Sequence, residues 1–194
     1  MIQMPSLKDL ALLSVQNPAE AARLLISLRI DRKTLWTGLF LVAVLNTLLN
    51  GLNTLLVPGP SPFPGLFDVP AVYFFFISGG LVLTVITLYW VGRSFGGQAS
   101  MEDVIVVVVW LQFLRVLVQA AALLLLLTIP MLSIILVFAA ALVGLWILVH
   151  FVDQAHQFQS PVKAAGVLIA AFVGMVVGLS ILLSLIGGVG AMGV

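Results

Sequence analysis

VIVVVVWLQFLRVLVQAAALLLLLT, residues 104–128, decides the fold of this chain. As an α-helix rising about 1.5 Å per residue, it is long enough to cross the roughly 30 Å hydrocarbon core of a bilayer. Its one charged residue, Arg115, stands about midway along it. A charge at that depth costs roughly 2.5 to 3.5 kcal/mol on insertion scales, so such residues face a packed interior or a wet cavity. The stretch therefore gives both the class, an integral membrane protein, and the first place to look for a site.

The rest of the chain agrees. Apolar residues make up 62% of it and charged ones only 8%, against roughly a quarter charged in a soluble domain. Its 194 residues leave room for five or six crossings of about 20 residues each and for no separate soluble enzyme domain. The first crossing is expected over 35–57, starting beside Trp36, a residue that favours the headgroup level. It ends in the run 58–65, PGPSPFPG, whose alternating prolines forbid a helix. A second crossing, 71–92, leads into a loop with a Gly96-Gly97 turn, and Ser100 to Asp103 carry the capping signal of the third, 102–128. Thr128-Ile129-Pro130 forces a hairpin into the fourth, 131–151. A polar segment from Asp153 to Ser160 follows, and Ser160-Pro161 opens the fifth, 162–186, before a glycine-rich tail. The fold class expected is all-α, a polytopic bundle of five transmembrane helices over 35–194 behind a lead of residues 1–34.

That lead carries Lys8, Arg23, Arg29, Arg32 and Lys33, five of the eight basic residues. Lys8 and Asp9 precede only a brief apolar stretch with no small-residue cleavage pattern, so no cleavable signal peptide is expected. Asn17, Pro18 and Glu20 make a helix start, and Ala21, Leu24, Leu25 and Leu28 recur at helical spacing with Arg23 directed elsewhere. This predicts an amphipathic helix, lying in the membrane interface or packed on the cytoplasmic ends of the bundle. With the N-terminus in the cytoplasm, Lys8, Arg23, Arg29, Arg32, Lys33, Arg93 and Lys163 all fall inside and no loop cation falls outside. A multi-pass protein of the cell inner (plasma) membrane is expected, with its C-terminus on the periplasmic or extracellular side.

Two motifs in this frame, Asn17-Pro18-Ala19-Glu20-Ala21-Ala22-Arg23 in the lead and 92–103, GRSFGGQASMED, after the second crossing, resemble those of the Yip1 family of integral membrane proteins, particularly its short bacterial members. In that family a Gly-Gly pair precedes a small residue that starts the third helix. The third helix here departs from many relatives in having Trp110 to Arg115 where a proline is usual. The resemblance implies an all-helical, non-enzymatic membrane protein. The longer cytoplasmic region of eukaryotic members, implicated in contact with small GTPases, has no counterpart here, and that function is not carried over.

Gln112, Arg115 and Gln119 share one face of the third helix, and Asn46, Asn50 and Asn53 share one face of the first. Asn46 lies 11 residues beyond Leu35 and Arg115 lies 11 beyond Val104, about 16 Å deep at 1.5 Å per residue. The two stripes are expected to face each other, with amides serving the guanidinium because no carboxylate occurs at that depth. The plain reading is interhelical hydrogen bonding worth about 0.6 kcal/mol per contact. The functional reading is a polar cavity for a lipid headgroup or small anion, and a contact with another subunit is the third.

His150, Asp153 and His156 form the one cluster of histidine and carboxylate. Helical spacing lets all three reach one ion only by stretching, so a hydrogen-bond network at the helix end is preferred and no metal or cofactor is expected. Glu102 and Asp103 read as first-turn acids that complement the helix dipole. Ala140 and Gly144 on the fourth helix, and Ala170, Gly174 and Gly178 on the fifth, are small residues four apart that suit close helix packing. That packing is expected inside the bundle, or against a second copy or a larger membrane complex.

No cysteine is present and the net charge is +1, so neither thiol chemistry nor nucleic-acid binding is supported. No carboxylate pair or hydrolase pattern converges, and an enzyme is not expected. The sequence points to a membrane scaffold or a protein that binds membrane lipids or partners. Two alternatives stand beside it: a small transporter or channel for an anion or polar solute using Arg115 and the Asn46/Asn50 stripe, and an accessory subunit of a larger membrane complex.

Overall fold

The computed structural model describes residues 6–56 and 69–191, all helix and connections, with seven helices and no strand among them. The proline-rich run 58–65 lies outside the described residues. The helices are α1 (Leu7–Gln16), α2 (Pro18–Ser27), α3 (Arg32–Leu56), α4 (Pro70–Ser94), α5 (Met101–Thr128), α6 (Pro130–His156) and α7 (Pro161–Ala191). Five of them, α3 to α7, are long and apolar enough to cross a membrane.

Side-chain caps set where the helices begin. Asn17 is a one-residue joint: its N–H donates to the Leu13 carbonyl to end α1, while its side chain accepts from the Glu20 N–H at 3.3 Å and donates to the Glu20 carboxylate at 3.0 Å to open α2. Asp31 opens α3 by accepting from the backbone N–H and hydroxyl of Thr34, at 2.9 and 2.7 Å. These bonds hold the Asp31 carboxyl below the usual carboxylate range, the Thr34 hydroxyl contributing most. Ser100 and Asp103 form a reciprocal capping box at the start of α5, satisfying two N–H groups that the helix itself cannot.

Helix ends follow equally local chemistry. After α4, the Gly96 N–H donates to the Arg93 carbonyl and the Gly97 N–H to the Gly92 carbonyl, the paired bonds of a Schellman stop. Gly96 has φ +82°, a conformation that a side chain resists. The fourth crossing runs five residues beyond the sequence boundary, to His156. Its polar end stays helical because Asp153 accepts the Ser160 N–H at 2.7 Å, so the turn into α7 satisfies that carboxylate.

The core lies around the first turns of α5, where Val104, Ile105, Val106, Val107 and Val108 are all buried. Five consecutive buried residues mean that this part of α5 is covered on every side. Leu35, Leu39 and Ala43 of α3, Val85 and Leu88 of α4, Phe151 and Ala155 of α6, Ala164 and Val167 of α7, and Ala21, Ala22 and Leu25 of α2 belong to the same cluster. Beyond that end, α6 presents Ile134, Ile135, Phe138, Leu142 and Leu145 outward, as a lipid-facing helix does.

Candidate functional site

α3 and α6 each pack on α5 and leave a cleft of about 1300 Å³ between them. Its floor is α5 from Leu111 to Leu126, and its walls are α3 from Asn46 to Asn53 and α6 from Ser133 to Leu148. α1 contributes Leu7, Lys8, Ala11, Leu12 and Val15. The hairpin below is stitched by the Ser133 hydroxyl, which donates to the Ala122 carbonyl at 2.7 Å. α1 is held by a buried bond from the Trp110 indole N–H to the Ser14 hydroxyl, 2.8 Å long, while that hydroxyl donates to the Leu10 carbonyl.

All the residues of the two expected polar stripes line this one cleft: Asn46, Asn50 and Asn53 from α3, and Gln112, Arg115 and Gln119 from α5. The hydrogen bonds expected between amides and guanidinium are not made. The buried Asn46 amide donates instead to the Val42 carbonyl of its own helix at 2.8 Å. The side chains of Asn50, Gln112, Arg115 and Gln119 have no hydrogen-bond or ion-pair partner among the described residues.

The histidine and carboxylate cluster disperses. The His150 ring nitrogen Nδ1 lies 2.8 Å from the Trp146 carbonyl one turn back, Asp153 binds the Ser160 N–H and the Gln154 amide, and His156 points into the bundle. Its ring stacks on Phe158 and its Nδ1 lies 3.1 Å from the Val152 carbonyl. Among the described residues no group of three metal-ligating side chains forms.

The small residues divide differently from the expectation of internal packing. A Cβ placed on Gly144, Gly174 or Gly178 meets nothing within 4 Å among the described residues. Gly144 and Ala140 line the cleft. Ala170 is partly buried, whereas Gly174 and Gly178 are exposed. The close approach occurs at Gly92 and Gly97 instead, where an added Cβ would overlap the His156 ring; at Gly97 it would stand 2.6 Å from His156 Cδ2 and 2.8 Å from the Gly92 carbonyl oxygen.

Sequence reasoning passed over three of these features. Lys8 reads as one more cytoplasmic cation, yet it lines the cleft. The Ser14 to Trp110 bond spans 96 positions in sequence, which no local pattern signals. The pairing of Gly92 and Gly97 with His156 is equally non-local, although a glycine late in an apolar helix hints at close approach.

The model of the Yip1 domain family matches residues 12–184. The chain belongs to the Yip1 family. The match runs from within α1 to within α7, so α3, α5 and α6 fall inside the Yip1 domain, while Leu7, Lys8 and Ala11 of α1 precede the matched residues. Comparison with curated proteins and with solved structures finds no match. The family is not known for enzymatic activity, and with its five apolar helices this Yip1 protein is a multi-pass membrane protein.

Proposed function

We propose that this Yip1 protein is a non-enzymatic lipid-binding protein whose cleft between α3, α5 and α6 holds a membrane amphiphile. The observation that carries this reading is a large, mostly apolar cleft, within the crossing segments, in which the side chains of Asn50, Gln112, Arg115 and Gln119 have no partner among the described residues. Unpaired polar groups in a low-dielectric region are unfavourable unless something satisfies them. An amphiphile does so, with acyl chain along the leucines and headgroup at the amides.

The one-sided distribution of cations supports placing the N-terminus in the cytoplasm and the protein in the cell inner (plasma) membrane.

Gly144→Phe tests the function directly. A Cβ at Gly144 meets nothing within 4 Å and Gly144 lines the cleft, so the new side chain projects into that space. Native mass spectrometry of gently extracted protein should show bound lipid on the wild type and its loss from this variant, at unchanged melting temperature. A wild type that retains no lipid overturns the proposal.

A second reading draws on α7, where Gly174 and Gly178 face away from the chain beside exposed Phe172, Val173 and Val177. Small residues of this kind let helices of different subunits approach. A scaffolding role through α7 predicts a species of twice the monomer mass that Gly174→Leu abolishes.

A further inference from the structure

We infer that the cleft selects a lipid whose headgroup carries a net negative charge, held by Arg115 and by Lys8 of the lead helix. This rests on the reading of the cleft as a lipid site and adds the chemistry of the ligand.

Charge is the first ground. Lys8 and Arg115 both line the cleft, and the lining contains no aspartate or glutamate. Neither cation has a hydrogen-bond or ion-pair partner among the described residues. The whole chain has eight Lys and Arg against seven Asp and Glu. With these two removed, six basic residues would face seven acids, a net charge of −1. The cleft lining thus carries two positive charges with no acidic residue to offset them.

Location is the second ground. A cation among apolar walls is weakly screened, so its attraction for an anion is far stronger than on a wet surface. A guanidinium also offers a planar fork that matches a phosphate. Lys8 extends a flexible stem that keeps its ammonium near the headgroup level while its methylenes lie on apolar surface. The amides of Asn50, Gln112 and Gln119 add donors and acceptors for ester or glycerol oxygens.

The shape of the cleft separates a lipid from a free anion. From Leu111 to Leu126 the floor extends about 22 Å at 1.5 Å per residue, most of the thickness of a hydrocarbon core. Leu114, Leu117, Leu123, Val137 and Leu148 line it. Inorganic phosphate has no use for such a trough, whereas an acyl chain fills it. Basic pockets between membrane helices on the cytoplasmic side suit anionic headgroups on general electrostatic grounds.

The test offers full-length protein, stripped by detergent exchange, an equimolar mixture of phosphatidylglycerol and phosphatidylcholine with matched chains, and reads bound lipid by native mass spectrometry. Phosphatidylglycerol should be retained over phosphatidylcholine by about tenfold, the equivalent of one charge-assisted contact. Arg115→Met and Lys8→Met should each bring the ratio towards unity, Arg115→Lys should preserve most of it, and Arg29→Met, which removes a cation outside the cleft, should leave it unchanged. Neither Arg115 nor Lys8 gives up a protein partner on substitution, so the melting temperature should hold. Equal retention of the two lipids would overturn this inference and leave the lipid site standing. Retention of neither would overturn both. Displacement of phosphatidylglycerol by millimolar inorganic phosphate would also overturn it, identifying a free-anion site.

Discussion

The two halves of α5 are built on opposite plans. From Val104 to Val108 every residue is buried, whereas from Leu111 to Leu126 the helix is the floor of an open cleft. Lipid tails are as apolar as leucine, so hydrophobicity alone does not draw helices together in a membrane. Close approach has to come from small residues and from polar groups that find each other. The first half has both: Gly92, Gly97, Ala99, Ala155 and Ala164 admit neighbours, and the Ser14, Trp110, Asp153 and Ser160 bonds fix them. The second half has leucines and valines on its walls, and the amides of Asn50, Gln112 and Gln119 have no partner among the described residues. One end is packed closed, the other is left open.

The largest effect expected from breaking this contrast comes at the closed end. In Gly92→Ala the new methyl overlaps the His156 ring, which is fully buried, stacked on Phe158 and held near the Val152 carbonyl. Overpacking of this kind costs typically 1 to 3 kcal/mol and occasionally more, and with a rigid ring in the way we expect about 3 kcal/mol. Thermal melting in detergent measures it. The double variant Gly92→Ala, His156→Ala should recover much of the loss, because the ring that obstructs the methyl is gone. If Gly92→Ala alone melts like the wild type, the closed end is not closed.

This contrast was legible in the sequence only in part. The number of spans, the hairpin at Pro130 and the caps at Asn17 and Ser100 were readable, because each depends on neighbours within four residues or on the length of an apolar run. The convergence of Asn46, Asn50, Gln112, Arg115 and Gln119 on one cleft followed from helical periodicity and matched depth. Their failure to bond was not readable, because periodicity gives the face of a residue and not the distance across to the next helix. Gly144 and Gly174 shared the spacing of packing residues, while the tightest approaches are at Gly92 and Gly97, at the helix end and in the loop, with a looser one between Gly38 of α3 and Val109. Where a glycine's open side points depends on tertiary packing. The start of α3 was missed by three residues because Asp31 sits between Arg29 and the Arg32-Lys33 pair, basic positions that read as lead rather than cap.

A smaller effect is expected where the lead helix is tied to the closed end. Ser14 is fully buried and serves the Trp110 indole N–H. Ser14→Ala leaves that donor unsatisfied, at about 1 to 2 kcal/mol. The loss should show as faster proteolysis of residues 6–16 and altered tryptophan emission, with little change in the helical content of the crossings. Equal destabilisation of the entire bundle would mean that α1 is part of the core rather than a tethered cover.

Weaker still is the response of the α3 start to acid. The Asp31 carboxyl is held below its usual range by Thr34, so its contribution exists above the ordinary carboxylate pKa and is lost as the pH falls through the lowered value. Amide exchange at Thr34 and Leu35 should stay slow through mildly acidic solution and accelerate only in stronger acid. In Asp31→Ala the same amides should exchange fast at every pH. Acceleration already near neutral pH in the wild type would mean that the carboxylate does not hold the cap.

The smallest expected change tests the open half most sharply. Asn50 lines the cleft with no side-chain partner among the described residues, so Asn50→Leu removes no bond and replaces an unsatisfied amide by an apolar group. Removing one partner of a made hydrogen bond is destabilising, but replacing a group that has none is near neutral. Asn46→Leu differs, because its buried amide serves the Val42 carbonyl, although that carbonyl keeps its place in the helix ladder and the loss stays modest. In lipid-free protein, Asn50→Leu should therefore melt within about 0.5 kcal/mol of the wild type, as surface substitutions do. With lipid bound, the variant should gain less stabilisation than the wild type, because binding stabilises in proportion to affinity. A variant that is unstable without lipid would show that Asn50 is paired across the cleft. A variant that gains as much from lipid as the wild type would place the headgroup elsewhere along the trough.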